Sequence, residues 1–176
     1  MDIEFRPLKV DDLLLVHRWL NTPHVMEWWG ENGPSVDAVR AKYLPYVSGL
    51  EPTRSFVILV DDVAIGYVQT YRIADYPEYA ACLAVSEAAA GLDLYIGETS
   101  HLHRGLGSGI IRAFLRQVVF VESGIESCII GPVVTNRAAI RAYEKAGFRY
   151  LKTVRLPNEV EPEYLMRITP AELTDD

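Results

Sequence analysis

A glycine-rich segment, HRGLGSG at residues 103–109, has the residue types of an anion-binding loop. It lies between a strand predicted to end near Gly97 and a helix that carries Ile110, Ile111 and Phe114. Glycines allow close backbone approach, and the exposed N–H groups of a helix N-terminus attract anions. Pyrophosphate is the group that best suits this chemistry. An ordinary loop before a helix would explain the glycines equally well, and the Lys-Ser/Thr ending of a P-loop is missing.

A second segment, TNRAAIRAYEKAGF at residues 135–148, has the pattern of a capped helix. Asn136 suits the N-cap, and Gly147 suits the residue that ends the helix. Tyr143 lies three residues after Ile140 and should point partly toward the core, where its hydroxyl needs a hydrogen-bond partner. Taken alone, the pattern predicts a half-buried tyrosine.

A lone carboxylate interrupts an apolar strand at GLDLYI, residues 91–96. Strand alternation places the leucines and the isoleucine on one face, and Asp93 with Tyr95 on the other. Asp93 is therefore either an edge-strand acid that faces water or a carboxylate that binds a cation.

Adjacent tryptophans stand in HVMEWWG, residues 24–30, which Pro23 and Gly30 mark as a predicted loop. An indole buries a large apolar area, so Trp28 and Trp29 require cover from the rest of the protein or from a ligand.

The composition predicts one compact domain over residues 1–176, with 49% hydrophobic residues and a net charge of −7. This charge argues against nucleic-acid binding and favours a cationic small-molecule partner. The N-terminus lacks the pattern of a signal peptide and no run has membrane-spanning length, so we expect a cytoplasmic protein without a membrane partner. Cys82 and Cys128 lack metal-like spacing, and no metal is expected. We expect a monomer or a homodimer.

The predicted elements alternate between strands and helices, which indicates an α/β class: a mixed sheet with flanking helices. Residues 72–90 are loop-like at first and then ambiguous. Strands are predicted at 3–8, 55–60, 64–71, 92–96, 127–130, 148–155 and 164–168, with a hairpin at 61–63, and helices at 13–20, 36–47, 106–120 and 136–146.

The two motif segments and this element order together resemble the GNAT superfamily of acyl-coenzyme A N-acyltransferases. The pattern N-x-x-A-x-x-x-Y-x-x-x-G-F stands here at Asn136, Ala139, Tyr143, Gly147 and Phe148. The resemblance implies the GNAT fold and acetyl-CoA as cosubstrate, without a metal. Leu102 stands where many members have Gln or Arg. Because backbone groups form most of the phosphate-binding site in this superfamily, this difference weakens the resemblance little. The implied cosubstrate-binding residues are Tyr95, Ile96, His103, Arg104, Gly105, Leu106, Gly107, Ser108, Asn136, Ala139 and Tyr143.

A narrower resemblance, to the aminoglycoside 6′-N-acetyltransferases, rests on several short stretches. These are WLN (19–21), EWWG (27–30), YLP (43–45), IGYVQTY (65–71), GLD (91–93), GLG (105–107) and YEKAGF (143–148). The resemblance implies acetyl transfer to the 6′-amino group of an aminoglycoside, by direct attack in a ternary complex. The implied substrate-binding residues are Trp28, Trp29, Tyr43, Gln69, Tyr71 and Asp93, with Glu78 as an added acid at the rim.

The implied catalytic residues are Asp93 and Tyr143. Asp93 would bind the ammonium and help to remove its proton, directly or through water, because only the neutral amine attacks a thioester. Tyr143 would face the coenzyme A sulfur and protonate the departing thiolate. Backbone N–H groups near Tyr95 to Gly97 would polarise the thioester carbonyl. One tryptophan would form a wall for the aminosugar, whose ammonium groups favour aromatic faces, and the other would lie in the core.

Two departures bear on the substrate. Gly131 stands where the resistance enzymes carry an aspartate, and Asn158, in Pro157-Asn158-Glu159, stands where they carry another. The segment 76–90 has Tyr79 and alanines instead of the expected tryptophans. Glu78, Glu159 and Glu161 could compensate for the missing acids. With Asp75, Glu87 and Glu163 they could also attract a polycation, although most of them are explained as solvated loop acids.

Two other functions stay open. The first is a GNAT N-acyltransferase for another amine: a siderophore precursor, a polyamine or a protein N-terminus. The second is a coenzyme A-binding module without turnover, against which Asp93 and Tyr143 argue. The 6′ position follows from the resemblance alone.

Overall fold

The computed structural model describes residues 1–30, 33–157 and 159–173. Their order of elements confirms the mixed α/β class. The strands are Ile3–Pro7 (β1), Arg54–Val60 (β2), Val63–Arg72 (β3), Ala89–Ile96 (β4), Ser127–Ile130 (β5), Arg149–Val154 (β6) and Glu163–Ile168 (β7). The α-helices are Leu13–Leu20 (α1), Pro23–Trp29 (α2), Val36–Ser48 (α3), Pro77–Leu83 (α4), Leu106–Phe114 (α5) and Arg137–Ala146 (α6).

The chain forms two compact units, and each is described separately. The first unit comprises Met1–Thr70 and Asp93–Leu106, and the second comprises Tyr71–Leu92 and Gly107–Asp176. Strands β3 and β4 and helix α5 each contain a boundary between the two.

The first unit has the strand order β1-β2-β3-β4. Strands β1, β2 and β3 are antiparallel, and the β2–β3 hairpin turns at Asp61 and Asp62, both with positive φ. At the end of β4 the Gly97 amide donates to the Ile65 carbonyl over 2.8 Å. This hydrogen bond fixes the backbone that leads from β4 to the glycine-rich loop.

Trp19 anchors the core of the first unit. Its ring is fully buried, and its Nε1 donates to Glu98 Oε1 at 2.8 Å. Arg18 pairs with the same carboxylate. The Trp19 ring fills the space over Gly97, where a Cβ would overlap three ring atoms. The end of β4 therefore requires glycine at this position, for close approach rather than for an unusual φ.

The second unit has the strand order β4-β5-β7-β6. The start of β4 pairs with β5 in parallel, and the remaining neighbours are antiparallel. Helix α5 continues into a π-helical turn at Leu115–Val119. Arg167 on β7 donates to Glu87 Oε1 at 2.6 Å, and Ser127 on β5 donates to the same oxygen. Glu87 is thus a paired acid, and the expectation that it attracts a polycation is not supported.

Three elements differ from the predictions. The tryptophan segment is helix α2 and not a loop, because Pro23 occupies its first turn and Gly30 caps its end with left-handed backbone. Residues 72–90 contain helix α4 and the first residues of β4. The helix predicted to reach Phe120 is α-helical only to Phe114.

Asn158, within the Pro157-Asn158-Glu159 turn noted above, lies outside the described residues. None of the helices that the structure describes has the length and apolar character to cross a bilayer.

We expect Gly97→Ala to destabilise the protein by roughly 1–3 kcal/mol, because the added methyl group must displace the Trp19 ring. Urea unfolding measures the change. Gly107→Ala is the matched control, since a Cβ there would meet only the Ala142 Cβ, at 3.6 Å. Equal stabilities of the Gly97→Ala variant and the wild type would contradict this packing.

The hydrogen bond from Arg167, aided by Ser127, holds the pKa of Glu87 below its ordinary value of 4.5. A lowered folded-state pKa contributes stability above the unfolded-state pKa, and this is lost as the pH falls through the folded-state pKa. We therefore expect Glu87→Gln to lower Tm at pH 7 and to have a smaller effect at pH 3. Glu144→Gln, at an exposed position on α6, is the charge-matched control. An equal difference between wild type and Glu87→Gln at both pH values would contradict this assignment.

Candidate functional site

A directed chain of hydrogen bonds in the first unit holds the Asp93 carboxylate. Gln69 Nε2 donates to Asp93 Oδ2 at 3.0 Å, and Tyr67 Oη donates to Gln69 Oε1 at 2.8 Å. Because the Tyr67 proton is used there, Ser55 Oγ donates to Tyr67 Oη over 2.7 Å. The chain fixes which way the Gln69 amide faces and aims its N–H at Asp93.

Tyr67 is suited to this role because it keeps its proton. Burial, with smaller contributions from neighbouring groups such as Tyr43, raises the pKa of the Tyr67 hydroxyl well above its ordinary value of 10. The hydroxyl is therefore a donor to Gln69 throughout the physiological pH range.

Aromatic rings surround this chain and form the aromatic cluster of the first unit. The Tyr67 ring stacks on Tyr95 at 5.5 Å between centroids, and Trp29 meets Tyr95 edge-on at 4.7 Å. Trp29 Nε1 also donates to Tyr43 Oη at 3.3 Å. The cluster consists of Trp19, Trp29, Tyr43, Tyr67 and Tyr95.

The cluster distinguishes the two tryptophans that the sequence left equivalent. Trp29 packs inside it, whereas Trp28 is 44% exposed. Tyr43, predicted to line the substrate pocket, has no exposed surface. We correct that expectation: Tyr43 accepts a hydrogen bond from Trp29 and does not face solvent.

Tyr95, predicted to bind the cosubstrate, is a buried residue whose ring packs within the cluster, so its backbone is the candidate for that role. The Gly97 amide donates its hydrogen bond to the Ile65 carbonyl, so it is not available to polarise the carbonyl of a thioester. His24 Nε2 donates to the Ile96 carbonyl at 2.9 Å and ties α2 to the end of β4.

The glycine-rich segment forms a loop with two left-handed residues before α5. His103 and Gly105 have φ of 59° and 73°, and with Arg104 they are exposed. Helix α5 begins at Leu106, so its first amides follow the loop directly. Backbone N–H groups in such a turn and at a helix N-terminus provide donors for an anion, and two basic side chains stand beside them.

In the second unit, helix α6 holds Tyr143 near Phe148, with ring centroids 6.0 Å apart and Tyr143 8% exposed. Asn136 caps this helix: its Oδ1 accepts from the Ala139 amide at 3.0 Å. The Ala139 amide is therefore already hydrogen-bonded. The predicted contact of Ala139 with the cosubstrate would have to use its other atoms. Gly107 and Ser108, in the first turns of α5, are half-buried.

In the second unit, an acidic side chain fills the space beside Gly131, where the resistance enzymes carry an aspartate. A Cβ on Gly131 would overlap the Glu163 carboxylate, so Glu163 occupies the space of a side chain there. Tyr79 Oη donates to Glu163 Oε2 at 3.3 Å. Glu78 is exposed in the first turn of α4. Glu161 accepts from Thr135, 2.7 Å away.

The sequence analysis does not identify Ser55, Tyr67 or Glu163 as site residues. Tyr67 precedes Gln69 by two on β3, so strand alternation could have identified it. Ser55 faces Gln69 across the β2–β3 pair, which only the strand register reveals. Glu163 was treated only as one rim acid among several. Within residues 1–30, 33–157 and 159–173 no three metal-binding side chains gather into a group.

The hydrogen-bond chain predicts energetic coupling between Ser55 and Tyr67. Tyr67→Phe should cost about 1–3 kcal/mol, because it leaves the buried Ser55 hydroxyl unsatisfied. The double variant with Ser55→Ala should lose less than the sum of the single losses, by at least about 0.5 kcal/mol. Urea unfolding of the four proteins measures this coupling, and strictly additive losses would contradict the chain.

Comparison with known proteins identifies the family of this chain. The model of the acetyltransferase (GNAT) domain matches residues 9–156. The aminoglycoside N(6′)-acetyltransferase type 1 of Klebsiella pneumoniae is 30% identical over 158 residues, which cover 89% of this chain and 78% of that protein. A kanamycin resistance protein of Rhizobium radiobacter is 35% identical over 68 residues, 39% of this chain and 62% of that protein.

The chain also resembles solved structures of aminoglycoside acetyltransferases. Aminoglycoside acetyltransferase AAC(6′)-Ib in complex with coenzyme A has a TM-score of 0.88 and 29% identity, covering 97% of this chain and 96% of that one. Its complex with coenzyme A and kanamycin has a TM-score of 0.87, 28% identity and the same coverage. The chain belongs to the GNAT acetyltransferase family.

Proposed function

We propose that this protein transfers an acetyl group from acetyl-CoA to the 6′-amino group of an aminoglycoside. The observation that carries the proposal is the half-buried Asp93 carboxylate, which Gln69 holds in one orientation beside a cluster of aromatic rings. This is an arrangement for an amine that arrives as a cation and must lose a proton before it reacts. The similarity to the aminoglycoside acetyltransferases supports the choice of acceptor.

Asp93 has two roles in the proposal. Its Oδ2 is oriented by the Gln69 N–H, so the carboxylate binds the ammonium without a change of rotamer. It then takes the ammonium proton, directly or through one water, and generates the neutral amine. The exposed Trp28 indole provides an apolar wall for the C–H face of an aminosugar.

The cosubstrate supplies the acetyl group as a thioester, and the residues of the glycine-rich loop fit its pyrophosphate. The left-handed backbone at His103 and Gly105 turns the chain into the first amides of α5, and Arg104 adds a charge. We assign pyrophosphate binding to the backbone of residues 103–108. The Ile96 and Tyr95 amides are the candidates to polarise the carbonyl of the thioester.

The chemical step is a direct acyl transfer. The amine nitrogen forms a bond to the acetyl carbon as the bond from that carbon to sulfur breaks. The Tyr143 hydroxyl gives its proton to the departing thiolate and is reprotonated, through water, by the proton that the nitrogen loses as the amide forms. The proton that Asp93 took from the ammonium passes to solvent. No covalent bond to the protein is required, because binding both substrates together supplies the proximity.

We expect Asp93→Asn and Tyr143→Phe to retain the fold and to lower turnover at least roughly tenfold, the usual scale of general acid–base effects. Steady-state kinetics with kanamycin and acetyl-CoA measures the change. The matched controls are Asp62→Asn in the hairpin turn and Tyr150→Phe, which is 53% exposed. Wild-type turnover in both site variants would refute the assigned mechanism.

The test of the acceptor is thiol release from acetyl-CoA by the purified protein. Kanamycin and tobramycin are compared with spermidine, lysine and a short peptide at equal concentration. We expect release with the aminoglycosides, and product NMR then locates the acetyl group. Release with another amine only, or with none, would refute the proposed acceptor.

A further inference from the structure

We propose that His24 is a positioning residue for acyl transfer, which holds the end of strand β4 so that the Ile96 N–H points at the carbonyl oxygen of the thioester. The inference rests on the proposed function, because it specifies how the backbone at Tyr95 and Ile96 serves that reaction. His24 itself would touch neither substrate. All the residues that carry the inference lie in the first unit.

The hydrogen bonds of one peptide group set the direction of the Ile96 carbonyl. The Gly97 amide donates to the Ile65 carbonyl of β3 over 2.8 Å. The N–H and C=O of one trans peptide group point in opposite directions, so the Ile96 carbonyl points away from β3. There it accepts from His24 Nε2 at 2.9 Å. This peptide group is therefore held at both ends, by strand β3 and by helix α2.

The direction of the Ile96 carbonyl also distinguishes the two amides considered for the thioester. In strand backbone, the N–H and C=O of one residue point to the same side, so the Ile96 N–H points away from β3 as well. The Tyr95 carbonyl points the other way, because a Cβ on Gly66 of β3 would lie 2.3 Å from its oxygen. The Tyr95 N–H accordingly faces β3. The thioester contact therefore belongs to the Ile96 amide.

Further contacts fix the backbone that follows Ile96. The carbonyl of β3 that accepts from Gly97 also accepts from the Glu98 amide, at 3.0 Å. The Glu98 carboxylate accepts from Trp19 Nε1 at 2.8 Å, and the Trp19 ring covers Gly97 so closely that a Cβ there would lie 2.1 Å from it. These contacts hold residues 97 and 98. The His24 hydrogen bond adds the contact through which helix α2 sets the position of Ile96.

Helix α2 connects this backbone to the aromatic residue proposed for the acceptor. Trp28 follows His24 by four positions, a spacing that makes two side chains neighbours on a helix surface. The Trp29 ring meets the Tyr95 ring edge-on at 4.7 Å. His24 and Trp29 thus attach α2 to two successive residues of β4. The helix that carries Trp28 is therefore joined directly to the backbone assigned to the thioester.

The proposed reaction requires a donor at a fixed position. As the amine nitrogen bonds to the acetyl carbon, negative charge develops on the carbonyl oxygen of the thioester. An N–H that already points at this oxygen stabilises the charge without reorganisation. This stabilisation is larger in the transition state than in the bound ground state. Loss of the His24 hydrogen bond should therefore lower kcat more than it weakens the binding of acetyl-CoA.

The kinetic test uses the full chain and the amine that gives thiol release. His24→Phe keeps a ring and removes the donor, and we expect kcat to fall roughly tenfold or more with little change in either KM. His24→Gln should retain most of kcat, because its Nε2 occupies nearly the place of the imidazole Nε2. This rescue separates positioning from a general loss of packing. His17→Phe, the same substitution on α1, is the control.

Circular dichroism and Tm of each variant verify the fold. His24→Asn replaces His24→Phe if that variant does not fold, because the shorter amide does not reach the Ile96 carbonyl.

A spectroscopic test measures the polarisation of the thioester and needs no acceptor. Isotope-edited infrared spectroscopy is recorded on protein-bound acetyl-CoA that is labelled at the thioester carbonyl carbon. A weaker hydrogen bond to the carbonyl oxygen raises the stretching frequency. We expect the band at a higher wavenumber in His24→Phe than in wild type, and at the wild-type position in His24→Gln.

The outcomes distinguish this inference from the proposed function. Equal band positions in wild type and in a folded His24→Phe variant would overturn the inference, as would a wild type that does not bind acetyl-CoA. A His24-dependent band without thiol release to any aminoglycoside would support the positioning role and refute the proposed acceptor. Aminoglycoside turnover with a band independent of His24 would refute only the positioning role.

Discussion

A carboxylate in an otherwise apolar strand needs a fixed hydrogen-bond donor, and in the first unit the Gln69 amide meets that need for Asp93. The hydrogen bond is useful only if the amide keeps one orientation. Tyr67 provides this constraint, because its protonated hydroxyl can pair with the Gln69 oxygen and Ser55 supplies the donor that Tyr67 then lacks. The orientation of the candidate catalytic base Asp93 thus depends on a buried serine three hydrogen bonds away.

The aromatic cluster of the first unit explains why these groups remain in place. Tyr67 stacks on Tyr95, and Trp29 contacts both rings edge-on. Rings packed in this way have few alternative rotamers, so the hydroxyl of Tyr67 is held at a fixed distance from Gln69. Helix α2 is part of the same arrangement, because His24 and Trp29 attach it to strand β4 and to the cluster. The adjacent tryptophans therefore divide their roles, one inside the cluster and one at the surface.

Three carboxylates differ in the charge of the group that donates a hydrogen bond to them. Asp93 and Glu163 are each half-buried, and each accepts a hydrogen bond from a neutral side chain, Gln69 or Tyr79. The donor to Glu87 is instead the charged Arg167, which lowers the pKa of that carboxyl.

Sequence patterns located most of the fold because local physical rules apply there. Alternation gave the strands, and the capping residues Asn136 and Gly147 marked α6 within one residue. The prediction of a loop at the tryptophan segment was wrong, because proline and glycine mark the ends of a short helix as readily as the ends of a loop. The resemblance to the family implied Asp93, Gln69, Tyr143 and residues 103–108 as candidates.

Contacts between residues distant in the chain were decided only by the tertiary structure. The register of β2 on β3 places Ser55 opposite Gln69, and packing brings Glu163 over Gly131 although 32 positions separate them in the sequence. The sequence by itself determined the family, the element order and the chemical types of the site residues, because these follow from local pattern and motif. Which donor orients each carboxylate, which tryptophan packs in the aromatic cluster and which acid pairs with arginine depend on three-dimensional packing, which no local pattern encodes.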